Sequence, residues 1–379
     1  MRKMKALILT SKGVEFAAAL EIKELIGAES TVIEEGILFD FEKLEDLLVL
    51  CYKAQSVDKV LLVVNEFSCS EETFEEELED VIDTKELGKW LKKGLKFKIG
   101  VRNASSSMDI IEKASSVVKG LPYGMGMDFK VPDIYFYVFF SNGKAYFCVD
   151  MTGTDLFKRS YRIFTHPQAL RGTIGYGLLR FAGVGEKDVI LDPFMGSGII
   201  PIEAGFYLSG FPLNYYNKDR WAFLNYQPFS KFDFRKFFEK LDVIEEKKLD
   251  IYGSDYLLAS LSMAKKNAKI GGVDKFIALT KMEAEWLDTK WEKGAVDKIV
   301  THPPEFSKHQ NPRTMEKLYD AFFFNAEYLL KNDGVVAVVV RDTSLLKKAA
   351  SKHKFRLKEE KTVWSGQQEL KFALFSRKT

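Results

Sequence analysis

Cysteine and histidine are scarce in this chain. Cys51, Cys69 and Cys148 stand far apart among 379 residues, odd in number and without metal-ligand spacing, so they read as buried thiols and exclude a disulfide scaffold. Histidine occurs only at positions 166, 302, 309 and 353, in no zinc-binding pattern, and no metal is expected. No apolar stretch is long enough to cross a membrane. The opening Met1-Arg-Lys-Met-Lys5 runs straight into Ala6-Leu-Ile-Leu9 instead of a signal h-region, so a cytoplasmic protein with no membrane partner is expected. An excess of one charge is also lacking. With 56 Lys and Arg against 54 Asp and Glu the net charge is +2, which excludes a uniformly basic nucleic-acid binder and leaves room for local basic patches. A hydrophobic content of 46% supports real cores, and the length suits two or three domains. A monomer is expected.

What is present centres on Val189-Ile-Leu-Asp-Pro-Phe-Met-Gly-Ser-Gly-Ile-Ile-Pro-Ile-Glu-Ala204. An apolar run of strand length ends in an acid, turns through a glycine-flanked serine and starts a helical pattern at Ile200. Gly196 and Gly198 allow a sharp turn and a close-lying ligand, and the amides at the helix start face the same space. Asp192 adds an anchor for a cationic or hydroxyl-bearing ligand at the crevice of an open α/β sheet. No Lys follows the second Gly and the third Gly of the dinucleotide fingerprint is missing, so phosphates are poor candidates.

Along the chain, Lys5 to Thr10, Ser30 to Phe39 and Lys59 to Val64 read as strands, and Val14 to Leu25 and Phe41 to Lys53 as helices. Phe74, Leu78, Val81 and Ile82 repeat at helical spacing, which makes the acidic run Glu71 to Asp80 the wet face of a helix. Leu95 to Asn103 alternates as a strand, Ser107 can cap a following helix, and residues 132–140 and 144–150 form a hairpin around Ser141-Asn-Gly143. A helix is expected from His166 to Phe181. Phe206 to Phe238 mixes Phe, Tyr and Trp with Asn, Lys and Arg; its aromatics either offer stacking faces to bases, with Arg220 and Trp221 in front, or pack a loop over the helices. Leu249 to Asp255 is a second strand ending in an acid, Lys275 to Thr280 a third, Lys298 to Thr301 a fourth leading into His302-Pro-Pro-Glu-Phe306, and Gly334 to Val340 a buried fifth. Phe355 to Trp364 and Leu370 to Phe375 supply a final antiparallel pair.

Asp192-Pro-Phe-Met-Gly-Ser-Gly198 followed by Ile-Pro-Ile-Glu-Ala204 closely resembles motif I of the S-adenosylmethionine-dependent RNA methyltransferases that carry an N-terminal THUMP domain, and the likeness spans nearly the whole chain. The resemblance implies an α/β fold in which N-terminal α+β domains, ferredoxin-like (1–64) and THUMP (65–155), precede a linker helix (156–180) and a Rossmann-like class I methyltransferase domain (181–379) with a seven-stranded, mostly parallel sheet. It implies S-adenosyl-L-methionine as cofactor, held by Asp192, Pro193, Phe194, Met195, Gly196, Ser197 and Gly198, with Asp255 accepting both ribose hydroxyls and Glu283 the adenine amine. It also implies a tRNA partner held by the front end. Lys92, Lys93, Lys96, Lys98 and Arg102 cluster near one strand and are the candidates for phosphate contacts, although lysines also serve to protect a strand edge.

The chemistry departs from the family at one loop. Relatives that methylate an exocyclic amine carry Asn or Asp, two prolines and an aromatic; here His302, Pro303, Pro304 and Glu305 keep the prolines and replace both functional side chains, with Phe306 one position later. Neutral His302 still accepts one hydrogen bond, while Glu305 could take the Watson–Crick edge of guanine and turn N7 toward the methyl donor. Three readings stand: a tRNA guanine methyltransferase acting at N2 or N7, a non-catalytic RNA-binding relative, and an amino-methylating enzyme of DNA or protein.

Overall fold

Short runs rich in Val, Ile, Leu and Phe alternate with helical runs, and the computed structural model, which describes residues 4–165, 170–244, 247–305 and 312–378, folds them into two units. The first unit takes the residues through Thr10, Ala18–Leu156 and Asn214–Leu241; the second takes Ser11–Ala17, Phe157–Leu213 and the residues from Asp242 onward. The chain therefore passes between units five times, at 10/11, 17/18, 156/157, 213/214 and 241/242.

The front of the chain runs β1 (Met4–Thr10), α1 (Glu15–Ile26), β2 (Ser30–Ile33), β3 (Gly36–Phe41), α2 (Leu44–Lys53), β4 (Val57–Ser68), α3 (Phe74–Val81) and α4 (Thr84–Leu87). It continues with β5 (Lys96–Arg102), α5 (Ser107–Gly120), β6 (Gly126–Met127), β7 (Ile134–Ser141) and β8 (Lys144–Asp150). These strands form one sheet in the order β2-β3-β1-β4-β8-β7-β5-β6. Pairing of β4 with β8 joins the strands of 1–64 to those of 65–155. Residues 30–39 are a hairpin instead of a single strand: Ile33 faces Gly36 across a two-residue turn, and Glu35 takes a positive φ of 59°, a conformation that no Gly, Asn or Asp announced. The cap of α5 is Ser106, whose hydroxyl accepts from the Asp109 amide, one residue earlier than the pattern suggested.

Beyond it come α6 (Gly172–Phe181), β9 (Ile190–Asp192), α7 (Ile199–Ser209), α8 (Phe234–Leu241), β10 (Ile251–Asp255), α9 (Leu258–Gly271) and β11 (Ile277–Lys281). The chain ends with β12 (Val296–Thr301), α10 (Pro312–Leu329), β13 (Leu330–Val340), α11 (Ser344–Lys352), β14 (Phe355–Ser365) and β15 (Gln368–Arg377). The second unit's sheet has the order β11-β10-β9-β12-β13-β15-β14, parallel through β13 and antiparallel for the last two. β9 lies at the switch: the chain goes from it to β10 and β11 on one side, then returns to β12 on the other, which opens a crevice beyond the carboxyl ends of β9 and β12. α6 starts at Gly172, and the expected start at His166 lies outside the described residues.

α7 is apolar on every side and its first seven residues are all buried, as a helix without a polar face must be. Its one charge, Glu203, is fully buried and is met by the Arg159 guanidinium at 2.8 Å and 3.2 Å and by the Tyr161 hydroxyl, which donates at 2.6 Å. Burial and the adjoining carboxylate push the Tyr161 phenol well above its usual range, so it remains a donor. No side chain fits at position 172, where a Cβ would come within 2.4 Å of both the Arg159 Nε and a Glu203 oxygen. Removing one partner of such a pair strands the other charge. Glu203→Ala is expected to lower stability by about 3–5 kcal/mol in denaturant unfolding, and Gly172→Ala to fall in the same direction.

Candidate functional site

β9 ends in Asp192 and β10 ends in Asp255, and parallel pairing sets Asp192 opposite Gly253, two residues short of Asp255. The turn between β9 and α7 is fastened to this neighbour. The Met195 amide donates to the Ser254 carbonyl at 3.0 Å, the Gly196 amide to Asp255 Oδ2 at 3.0 Å, and the Gly198 amide back to the Met195 carbonyl at 2.8 Å. Gly196 and Gly198 have φ of 51° and 86°, the left-handed region where glycine is favoured. They do different work. A Cβ at Gly198 would sit 2.8 Å from the Ala264 side chain, so this glycine lets α9 approach, whereas a Cβ at Gly196 would meet nothing within 4 Å and marks open space.

Asp192 Oδ1 accepts from the Thr301 hydroxyl at 2.6 Å and the Phe194 amide at 3.1 Å, and among the described residues no donor reaches Oδ2. Burial raises the Asp192 carboxyl to about 7, with the Asp255 charge pushing the same way and the two hydrogen bonds opposing. Asp255 Oδ1 accepts from the Leu257 amide at 2.9 Å, which leaves each of its oxygens a further lone pair. The hydroxyls of Ser197 and Ser254 are buried with no protein partner among the described residues. Two carboxylates, two orphan hydroxyls and an open glycine face form a donor and acceptor set that fits a ligand with both hydroxyls and a cation, as S-adenosylmethionine has.

The rest of the motif turn is packed: Pro193 and Met195 are buried, and the half-buried Phe194 ring packs on Phe322 with centroids 5.5 Å apart. Asn267, fully buried, donates to the Ser197 carbonyl at 3.0 Å and to the Phe164 carbonyl at 2.8 Å, tying the incoming segment to the turn. Glu283 is exposed one residue after Met282, whose amide donates to the Asp255 carbonyl at 3.0 Å.

At the end of β12, Tyr319 donates to the Pro304 carbonyl at 2.6 Å and fixes the two-proline turn. Glu305 does not reach outward: its Oε2 accepts from the Arg341 amide at 2.9 Å and the Arg341 Nε at 3.2 Å, and Oε1 lies 3.8 Å from His302 Nε2. Burial pushes the Glu305 carboxyl up, but His302 and Arg341 outweigh it and hold it below its usual range. The carboxylate expected to take a guanine edge thus has one oxygen, Oε2, engaged by Arg341 of its own chain. Phe306 lies outside the described residues. Sequence reasoning missed Thr301, Asn267, Tyr319 and Arg341; of these only Arg341, a charge directly after seven apolar strand residues, carried a visible signal.

The residues expected to meet RNA lie in the first unit. Lys92 and Lys93 are exposed, and Lys98 is partly buried on β5. The Lys96 ammonium is 3.0 Å from Asp128. Arg102 is corrected to an internal partner: its Nη2 is 2.9 Å from Asp58 and its Nε 3.7 Å from Glu35. Trp221 is corrected as well. It is 2% exposed, stacked on Phe223 at 9° between planes, in a core with Tyr226, Phe229 and Phe238, so its faces are not open to a base. Arg220 donates to the Thr154 hydroxyl at 2.6 Å. Among the described residues there is no cluster of His, Cys, Asp and Glu able to hold a metal, and no helix long and apolar enough to cross a membrane.

Comparison with known proteins gives the family and the fold. The RMKL-like methyltransferase domain family, UPF0020, matches residues 159–371. A tRNA (guanine(6)-N2)-methyltransferase of Methanocaldococcus jannaschii is 26% identical over 95% of this chain and 96% of its own. One of the same name from Archaeoglobus fulgidus is 27% identical over 69% of this chain and 64% of its own. The same fold occurs in TrmN from Thermus thermophilus, with a TM-score of 0.72, 20% identity and 99% of each chain covered. It also occurs in SMU.472, solved with SAH, with a TM-score of 0.80, 18% identity and 100% of each chain covered.

The raised Asp192 carboxyl has a signed consequence. The folded chain holds this proton up to about 7, the unfolded chain only to 3.8, so the stability tied to this group is present at low pH and lost as pH rises between those values. Asp192→Asn removes the loss. Its melting temperature relative to the parent is expected to climb across that window in pH-resolved calorimetry without ligand; a constant difference would show that Asp192 is ionised throughout.

Proposed function

The chain belongs to the RMKL-like methyltransferase domain family UPF0020, whose cofactor is S-adenosylmethionine, and we propose that it methylates a guanine of tRNA at the exocyclic N2. When bound, the cofactor supplies an electrophilic methyl on a sulfonium. In this reading Asp255 accepts the ribose hydroxyls, Asp192 and the turn at Gly196 line the charged end, and Glu283 is offered to the adenine amine.

The observation that carries the choice of atom is the hold of Arg341 on Glu305. A free carboxylate at this position would take N1–H and N2–H of guanine together and turn N7 toward the methyl. With Glu305 turned back to Arg341, the acceptor left beside the two-proline turn is His302. The Glu305 carboxylate, 3.8 Å from Nε2, favours a proton on that nitrogen and leaves Nδ1 to accept. The N2 amine is poorly nucleophilic because its lone pair is delocalised into the ring. Drawing one N–H toward His302 and holding nitrogen and methyl about 3 to 3.5 Å apart frees that pair for attack. The methylated nitrogen becomes neutral by giving a proton to the imidazole or to water. Similarity to the Methanocaldococcus jannaschii enzyme along 95% of the chain supports tRNA as substrate and N2 as target. Lys92, Lys93, Lys96 and Lys98 remain the phosphate contacts of this reading.

Nucleoside analysis of tRNA digested after incubation with labelled cofactor is the decisive measurement. N2-methylguanosine is the expected product; 7-methylguanosine would restore the other edge of the base, and no methylated nucleoside would leave a non-catalytic RNA-binding protein. For the cofactor, Asp255→Asn is expected to lose about 1.5–3 kcal/mol of binding free energy by titration calorimetry, because hydroxyls then meet a neutral acceptor. Unchanged affinity would remove Asp255 from the ribose.

A further inference from the structure

The loop from Asp128 to Asp133, at the edge of the first unit's sheet, carries exposed apolar side chains that its own packing does not use. It is braced from both ends. The Asp128 amide donates to the Phe97 carbonyl at 2.9 Å, the Asp133 amide to the Lys96 carbonyl at 2.7 Å, and the Lys96 amide to the Asp133 carboxylate at 2.7 Å. Inside the loop, Asp128 Oδ1 accepts from the amides of Lys130 at 2.9 Å and Val131 at 3.0 Å, while Oδ2 meets the Lys96 ammonium at 3.0 Å. The tip so fixed holds Phe129 56% and Val131 73% exposed. A mobile loop would fold a phenyl ring away from water; this one is pinned with the ring outside.

Cations belong to the same part of the unit, with Lys130 inside the loop and Lys92 and Lys93 on a turn tied to the chain that leads into it. The turn carrying Lys92 and Lys93 is stitched to the residues just before the loop, with the Gly94 amide donating to the Tyr123 carbonyl at 2.8 Å and the Gly126 amide to the Leu95 carbonyl at 3.2 Å. Lys92, Lys93 and Lys130 are exposed, and among the described residues none of them has a carboxylate partner. An apolar protein partner would not call for three ammonium groups without carboxylate partners on this loop and the turn tied to it, and an exposed aromatic face in their company suits an unpaired nucleotide, whose base has a π face and whose flanking phosphates are anionic.

We propose that Phe129 is a stacking platform for an unpaired base of the RNA substrate, with Lys92, Lys93 and Lys130 holding the adjoining phosphates. This rests on the reading that the substrate is RNA, and goes beyond it in naming a base contact on the first unit.

The test uses the full chain with three probes: a single-stranded oligoadenylate of about ten nucleotides, a blunt RNA duplex of equal length, and tRNA. Phe129→Ala is expected to weaken the single strand roughly 5- to 100-fold and leave the duplex unchanged, and Phe129→Trp to retain single-strand binding. Replacing Lys92, Lys93 and Lys130 by Glu should weaken all three probes and flatten the salt dependence. If Phe129→Ala binds the single strand like the parent while the lysine variant loses it, the stacking platform is wrong and the RNA reading stands. If the parent binds none of the three, both fall. Equal loss in Phe129→Ala and Phe129→Trp would also overturn the proposal, because it would mean the residue acts only through the fold of its loop.

Discussion

A carboxyl buried away from water is costly to ionise, and the methyltransferase half of the chain is arranged to hold Asp192 there, at the end of a strand beside the one that ends in Asp255. Asp192 and Asp255 end adjacent parallel strands, where sheet geometry places them near one another whether or not electrostatics favours it. Backbone amides from Phe194, Gly196 and Leu257 and the Thr301 hydroxyl bond the two side chains, yet burial outweighs them at Asp192 and leaves it protonated up to about 7. The buried Arg159–Glu203 pair, α7 without a polar face and the Asn267 amide all serve to keep the motif turn from relaxing away from that arrangement.

Features that depend on neighbours in sequence were readable from the residues alone. The acid, glycine turn and helix start of 189–204 lie within one strand-loop-helix unit, and the long valine run of β13 and the second acid-terminated strand followed from pattern. Side-chain engagement was not readable, because the partner that decides it comes from elsewhere in the chain. Glu305 is turned back by Arg341, which stands 36 positions later, and Arg102 by Asp58, 44 positions earlier. Both looked free in one dimension. Trp221 failed for a related reason: an aromatic among cations has the composition of a base-binding surface, but contact with Phe223 and its neighbours makes it core. The Glu34-Glu35 turn had no turn chemistry to read; the pairing of Ile33 with Gly36 imposes it.

The loop after β12 is braced from within the chain. Replacing an aromatic by Glu305 removes a stacking face, yet the carboxylate gains a backbone amide and a guanidinium at the end of β13 and braces the turn together with Tyr319. The turn is then held by its own chain, and a turn fixed in advance loses little order when a ligand binds beside it.

The interleaving of the two units bears on the order in which the protein can be made. Trp221, Phe223, Phe229 and Phe238 belong to the first unit's core but come from residues 214–241, which emerge only after β9 and α7 of the second unit have been synthesised. On the ribosome the amino-terminal sheet is complete in strands by Asp150 and still has an open apolar surface until the chain has grown to Leu241, about ninety residues later. The nascent chain thus has an interval in which an almost finished half awaits its closing segment. A messenger cut short between the two points would yield a sheet without that aromatic cover, a form suited to capture by chaperones and to removal.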